Sequence, residues 1–144
     1  MTLILDAAPL VALADSTDRE HAAVASVLEA ESGPLVIPAP VTAEVDYLLG
    51  VRHGHVARRA FLADLAAGRF VVGCLEPDDF ALAADIDSRY ADLGLGLADC
   101  SLVVLAHRNE TVRILSFDER HLRAVAPIGG GAFTLLPADD PPAG

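Results

Sequence analysis

Four carboxylates occupy positions where the pattern of the chain can bring acids together. They are Asp6, Glu44, Asp99 and Asp118. Two of them end apolar runs, and the other two stand in the first turns of predicted helices. Carboxylates that share one pocket repel each other and raise each other's pKa values unless cations neutralise them. These four residues are therefore the first candidates for a chemical site.

Oxygen ligands without a neighbouring His or Cys ligand favour a hard cation such as Mg²⁺ or Mn²⁺. Such a cation can activate water and stabilise the charge that develops on a phosphodiester. The alternative is that each acid is only a helix cap or a solvated side chain. That alternative is reasonable for any one of the acids alone. It is much less so for all four together, given their apolar flanks. The pattern predicts a metal site with hydrolytic chemistry.

The elements that must position these acids are strands and helices in alternation. An apolar run at 2–5 leads into Asp6 without a polar break, and the mostly apolar run at 112–117 leads into Asp118. Continuous apolar runs are typical of strands buried on both faces of a parallel sheet, which binds its ligands beyond the carboxyl ends of the strands. Further strands are predicted at 35–37, 70–75 and 133–136, and helices at 10–14, 19–31, 41–51, 55–67, 77–90, 100–107 and 119–125. This alternation predicts an α/β fold with a mostly parallel central sheet.

Length and composition limit the class of protein. The chain has 144 residues, 53% of them hydrophobic, which fits one folded domain and excludes disorder over most of the chain. We expect the domain to cover residues 1–137 and residues 138–144 to form a frayed tail. No apolar run approaches the roughly 18–20 residues of a membrane span, and no signal peptide pattern is present. Cys74 and Cys100 are isolated, so we expect reduced thiols in a cytoplasmic protein.

The charge of the chain bears on its possible partners. The formal net charge is −11, and the ten basic residues are all arginines. A protein this acidic is not a general nucleic-acid binder, since attraction to phosphates dominates that affinity. A polyanionic substrate would need metal ions or a local basic strip. The candidate strip contains Arg52, Arg58 and Arg59, and the open alternative is a solvated helix start whose arginines pair with nearby acids.

The four acids lie in segments that resemble the acidic motifs of PIN-domain ribonucleases, and more narrowly of the VapC toxins in bacterial VapBC toxin–antitoxin pairs. The segments are 3–6, 42–49, 97–102 and 116–118. The resemblance covers residues 1 to about 136 in order and spacing. It implies a three-layer α/β/α fold and an Mg²⁺- or Mn²⁺-dependent endoribonuclease that cleaves RNA. It further implies a homodimer, inhibited by a cognate VapB-type antitoxin whose tail fills the active-site groove.

Carried onto this chain, the resemblance assigns the metal and catalytic positions to the four acids named above. Ser116 corresponds to the hydroxyl residue that the family usually keeps two positions before its last acid. Asp92 is a further candidate near the metal, with a capping or loop role as its alternative. Many relatives have a hydroxyl residue directly after the first acid, where this chain has Ala7 and Ala8. We expect that difference to affect the cleavage rate more than metal binding.

Other side chains and other protein classes fit the pattern less well. His121 has no partner four residues further on, so we expect an ordinary helix residue. Phosphotransfer proteins also place an Asp after the first strand, but they usually require a lysine, and this chain contains none. A non-catalytic PIN-like dimeric binding module is the other alternative, and the intact set of acids argues against it. The sequence therefore predicts a metal-dependent endoribonuclease toxin.

Overall fold

The computed structural model describes residues 1–139. In this part of the chain, five short strands form one sheet in the order β3-β2-β1-β4-β5, and every neighbouring pair is parallel. The strands are β1 (Leu3–Leu5), β2 (Leu35–Pro38), β3 (Val71–Gly73), β4 (Arg113–Leu115) and β5 (Thr134–Leu136). All five lie within or overlap the runs predicted from the sequence. The structure thus confirms the α/β class and makes the sheet parallel throughout.

Within residues 1–139, seven helices cover the sheet. They are α1 (Ala7–Leu13), α2 (His21–Ala30), α3 (Ala39–His53), α4 (His55–Ala66), α5 (Pro77–Arg89), α6 (Leu97–Arg108) and α7 (Glu119–Leu122), with a 3₁₀ turn at Ala91–Leu93. Helices α1 to α4 pack against one another, while α5 packs on α6, which contacts β1, β2 and β4. The sheet between these helices gives the three-layer α/β/α architecture.

Some helix ends differ from the predicted ones, and the backbone shows why. Helix α3 begins at Ala39, two residues earlier than predicted, with Pro40 in its first turn, where proline needs no hydrogen bond. Helix α6 begins at Leu97 because Gly96, at φ +85°, supplies a cap conformation that other residues rarely adopt. As a result Asp99 is the third residue of α6 and Glu44 is the sixth residue of α3. Helix α7 ends at Leu122, so the predicted helix to 125 is too long.

The core centres on β1, β4 and α6. Every residue of β1 is fully buried, and α6 is buried from Cys100 to Ala106. Gly73 allows α6 to approach the sheet, because a Cβ added there would lie 2.3 Å from Leu105 Cδ1. Packing this close leaves α6 little freedom to shift. The first turn of α6, which carries Asp99, is held by the core.

The register of the central strands brings their carboxyl ends to one edge. Strands β1 and β4 are adjacent, with Leu5 opposite Leu115. The Asp6 amide donates to the Leu115 carbonyl over 2.9 Å. The chain therefore leaves both strands at the same level, which places Asp6 beside the segment 116–118. This edge is where the sequence predicts the site.

The end of the described chain is attached to the domain. The Asp139 carboxylate accepts a hydrogen bond from the Leu135 amide over 2.7 Å and pairs with Arg123. Most of the tail predicted at 138–144 lies outside the described residues, so the domain boundary stays a prediction. Within residues 1–139, no helix combines the length and apolar character that crossing a bilayer requires.

Candidate active site

Asp6 connects β1 to α1 and has a hydrogen-bond donor on each carboxylate oxygen. It is the N-cap residue of α1, with Oδ1 accepting from the Ala7 amide over 2.8 Å. Oδ2 accepts from the Ser116 hydroxyl over 2.7 Å. Burial raises the pKa of Asp6, opposed by these two hydrogen bonds, and the charge of Asp118 raises it further. The carboxylate is thus oriented and held in a crowded position.

Ser116 links the two acids at the strand ends. Its side chain is buried at 1% exposure, and its Oγ accepts a hydrogen bond from the Asp118 amide over 3.0 Å while donating to Asp6. One hydroxyl therefore fixes both the Asp6 carboxylate and the backbone that precedes α7. The structure places Ser116 in contact with the acids, as the motif suggests.

Asp118 caps α7 and holds a histidine that the sequence analysis treats as an ordinary helix residue. Its Oδ1 accepts from the His121 amide over 3.1 Å, and its Oδ2 lies 2.8 Å from His121 Nδ1. The expectation for His121 was wrong because it considered only partners four residues further on. The spacing of three residues from an N-cap acid is the signal that could have found it.

Asp99 lies where all the charges of the site converge. One ligand atom from each of Asp99, Asp118 and His121 falls within 4.8 Å of the others. Burial, followed by the charges of Asp6 and Asp118, raises the pKa of Asp99 to about 6, with His121 opposing and Glu44 adding to the shift. A carboxyl group with this pKa is a mark of a functional site when it stands among other acids.

Glu44 completes the cluster from the side of α3. Its side chain reaches solvent, and partial burial together with the charge of Asp6 raises its pKa. The structure therefore brings all four predicted acids within electrostatic reach of one another. We call Asp6, Glu44, Asp99 and Asp118 the acid cluster.

The remaining predicted residues are Asp92 and the three arginines. Asp92 is exposed on the 3₁₀ turn before α6, and the Ser116 hydroxyl, not Asp92, supports Asp6. Arg58 pairs with Asp46 across α3 and α4 at 3.2 Å, which matches the alternative of paired arginines for this residue. Arg52 and Arg59 are exposed and make no ion pair within residues 1–139.

The donor set of the acid cluster fits a hard divalent cation. Four carboxylates lie at one edge of the sheet, and burial together with the charges of neighbouring acids raises the pKa of at least three of them. A bound cation would remove the part of these shifts that comes from repulsion. His121 fits the role of a donor that orients Asp118, as residues around metal ligands commonly do. These residues could hold a cation, which would supply activation of water when bound.

Comparison with known proteins agrees with this geometry. The model of the PIN domain matches residues 3–127. The chain belongs to the PIN-domain family. Ribonuclease VapC26 of Mycobacterium tuberculosis is 39% identical over 135 residues, which are 94% of this chain and all of that protein. This identity places the chain in the VapC group of the PIN-domain family, as its motifs predict.

Solved structures share the fold of this PIN domain at lower identity. The sarcin–ricin loop-cleaving toxin VapC20 of Mycobacterium tuberculosis superposes with a TM-score of 0.74 at 19% identity, covering 81% of this chain and 89% of that one. A chain of VapBC2 from Rickettsia felis, bound to a promoter DNA fragment, superposes with a TM-score of 0.69 at 12% identity, covering 94% and 98%. These likenesses confirm the PIN-like α/β/α fold.

Proposed function

We propose that the protein is a metal-dependent endoribonuclease that acts as the toxin of a VapBC-type toxin–antitoxin pair. The observation that carries the proposal is the acid cluster, in which burial and the charges of Asp6 and Asp118 raise the pKa of Asp99 to about 6. The activity named for the relative VapC26, which is 39% identical to this chain, supports RNA as the substrate. RNA would bring a phosphodiester to a cation held by these acids.

The acid cluster would hold Mg²⁺ or Mn²⁺, and neighbouring residues would keep its carboxylates in position. When bound, the cation supplies activation of water and stabilisation of the phosphate charge. Ser116 fixes the rotamer of Asp6, and His121 holds Asp118 from the first turn of α7. Asp99 must give up its proton before it can act as a ligand. Divalent metal binding should therefore weaken as the pH falls below about 6.

The absence of a hydroxyl directly after Asp6 leaves no carboxylate oxygen of Asp6 without a donor. Ala7 contributes only its amide to Asp6, and Ala8 is exposed. The hydroxyl that Asp6 does receive comes from Ser116, at the end of the adjacent strand β4. The carboxylate therefore has a donor on each oxygen without a hydroxyl at position 7 or 8. This supports a working site despite the departure from the family pattern.

The proposal includes an antitoxin partner and a homodimer in the cytoplasm. The VapBC2 complex from Rickettsia felis shares this fold. Exposed apolar side chains on α3 and α4 leave surface to cover, with Tyr47 68%, Val51 67% and Val56 82% exposed. Apolar side chains exposed to this degree are common at protein interfaces. Reduced thiols at Cys74 and Cys100 suit the cytoplasm.

Cleavage of total cellular RNA tests the proposal. The wild-type protein should cleave with Mg²⁺ or Mn²⁺ and stop when EDTA is added. Asp99→Asn should lose activity by orders of magnitude because a ligand is gone. Asp85→Asn is the matched control, with the same change of charge at an exposed position of α5. Near wild-type cleavage by Asp99→Asn would show that the active site lies elsewhere.

A further inference from the structure

A groove runs beside the acid cluster, between the turn that links α1 to α2 and the end of α3. Its first part, of about 580 Å³, is lined by residues that include Ala8, Arg52, His53 and Phe117. Its second part, of about 590 Å³, is lined by residues that include Ser116 and Phe117. Both parts share Arg19, Glu20 and Phe117 as lining residues. We call this continuous depression the side groove.

The side groove shares its wall with the acid cluster. Ala8 follows Asp6 by two residues, and Phe117 directly precedes Asp118. Ser116, which donates to Asp6, lines the second part. The residues next to Asp6 and Asp118 in the chain therefore form part of the wall of the side groove.

The arginines of the side groove are available to a ligand. Arg52 is exposed and makes no ion pair within residues 1–139. The Arg19 side chain is 93% exposed, and its Nε lies 3.8 Å from Glu20, a surface pairing that holds the guanidinium weakly. Arg58, by contrast, is paired with Asp46 between two helices and does not line the side groove.

Four acids line the side groove, namely Asp15, Asp18, Glu20 and Glu119. Glu20 lies beside Arg19, and Glu119 pairs with Arg123. Asp15 accepts from the Thr17 amide and hydroxyl, and Asp18 accepts from the Glu20 amide. These bonds fix the loop that carries Arg19. The groove is therefore not a general basic surface, and a ligand must place its negative charge at the arginines. A nucleic-acid backbone with spaced phosphates meets that requirement.

Phe117 supplies the second feature of a nucleotide site. It is a half-buried aromatic ring that lines both parts of the side groove. Unpaired bases of single-stranded RNA stack on aromatic side chains, and guanidinium groups contact the adjoining phosphates. A double-stranded helix keeps its bases stacked inside. Because Phe117 and Arg52 line the same part of the groove, they favour single-stranded RNA, whose bases are free to stack on an aromatic ring.

We propose that the side groove binds the nucleotides of single-stranded RNA next to the cleaved phosphate, with Arg52 on a phosphate and Phe117 under a base. This inference rests on the proposed ribonuclease function. Of the three arginines predicted from the sequence to contact RNA, the inference keeps Arg52 and excludes Arg58. It adds Arg19 and Phe117 to the residues that contact RNA.

Steady-state cleavage of a fluorescent single-stranded RNA in Mn²⁺, over a series of salt concentrations, tests the inference. Arg52→Ala should raise KM roughly tenfold with little change in kcat. The slope of log KM against log salt concentration should also fall by the amount expected for the loss of about one phosphate contact. Phe117→Leu keeps an apolar side chain and should raise KM at least about fivefold without changing the salt dependence. Arg89→Ala, at an exposed residue of α5 with no ion pair in the described chain, is the control for loss of one charge.

The outcomes separate the inference from the function on which it rests. If the wild-type protein shows no metal-dependent cleavage, the proposed function fails and the inference fails with it. If the wild type cleaves RNA and Arg52→Ala matches either the wild type or Arg89→Ala, only the side groove is refuted. Unchanged RNA kinetics in Arg52→Ala, combined with lost binding of a protein partner, would assign the groove to that protein and overturn the inference.

Discussion

Ser116 shows how much of the site depends on one buried hydroxyl. It donates to Asp6 Oδ2 and accepts from the Asp118 amide, and both of these groups are tied to the acid cluster. A buried group that loses its partner costs about 1–3 kcal/mol. A donor that orients a metal ligand commonly changes metal affinity by about 10–100-fold. Ser116 should therefore influence both stability and metal binding.

We expect Ser116→Ala to lower the free energy of unfolding by about 1–3 kcal/mol and to weaken Mn²⁺ binding by roughly tenfold or more. Ser101→Ala is the matched control, since Ser101 is equally buried but donates only to the Ala98 carbonyl within α6. Titration calorimetry with Mn²⁺ and thermal unfolding measure the two effects. Equal metal affinities in the two variants would mean that Ser116 has only a structural role.

Asp99 makes stability depend on pH in an unusual direction. Its pKa is 3.8 in the unfolded chain and about 6 in the folded protein. Between these values the folded protein holds a proton that the unfolded chain has lost, so stability falls as the pH rises towards 6. The metal-free protein should therefore be less stable above pH 6 than at pH 4, by less than the full shift would give, because Asp99 is partly exposed and solvent screens its charge.

We expect Asp99→Asn to raise the melting temperature of the metal-free protein at pH 7.5 by several degrees, and to change it little at pH 5. The amide cannot ionise, so the repulsion from Asp6 and Asp118 is lost at the higher pH only. Thermal unfolding in EDTA at the two pH values gives the answer, with Asp85→Asn as the control. A variant that is less stable than wild type at pH 7.5 would contradict the crowding of charge at Asp99.

At the scale of elements, α5 is attached to α6 through one buried acid. Asp79 is 4% exposed, accepts from the Glu76 amide over 2.9 Å in a capping box, and pairs with Arg108 at the end of α6. These contacts lower the pKa of Asp79, with the hydrogen bond from the Glu76 backbone as the main cause. The pair joins α5 to the last turn of α6, at the opposite end of that helix from Asp99.

We expect Asp79→Ala to destabilise the protein by about 2–4 kcal/mol, because the cap and the partner of Arg108 are lost together. Arg108→Ala should cost less, since the Arg108 side chain is half exposed and the cap survives. Urea unfolding measures both variants. RNA cleavage per folded molecule should stay at the wild-type level in both, and a specific loss of cleavage would show that α5 reaches the active site.

The sequence predicts strands and helices well where hydrophobic runs determine their positions. It predicts helix ends and side-chain contacts less well, because these depend on single residues and their local geometry. All five strands follow from apolar runs, and the strand-end positions of Asp6 and Asp118 follow from the strands. The start of α6 depends on the left-handed backbone of Gly96, which no hydrophobic pattern encodes. The contact of His121 with Asp118 and the pairing of Arg58 with Asp46 depend on side-chain geometry, so the sequence could not separate Arg58 from Arg52.

At the scale of the whole molecule, charge and apolar surface act in opposite directions. Each copy carries a net charge of −11, so two copies repel each other at low ionic strength. Exposed apolar side chains such as Tyr47 and Val51 favour association. Salt screens the repulsion and leaves the apolar contact intact. The balance should therefore favour a dimer as salt is raised.

We expect light scattering at micromolar concentration and moderate salt to give roughly twice the chain mass of 15.0 kDa. Lowering the ionic strength should shift the population towards the single chain, because the repulsion is then less screened. A single-chain mass at every salt concentration would refute the homodimer. A dimer that weakens as salt is raised would instead indicate contacts made by ion pairs.

The burial of Cys100 beside Asp99 has a consequence for observing the site in solution. Burial is the main cause that raises the pKa of this thiol, and the charges of Asp87 and Asp99 add to it. A thiol that is both inaccessible and protonated reacts with alkylating reagents only when the first turn of α6 opens. Once the exposed Cys74 is replaced, the alkylation rate of Cys100 reports that local opening, one residue from the most perturbed acid of the cluster. A divalent cation that links Asp99 to its neighbours would slow the alkylation of Cys100. The alkylation rate of Cys100 therefore measures how well the active site is ordered.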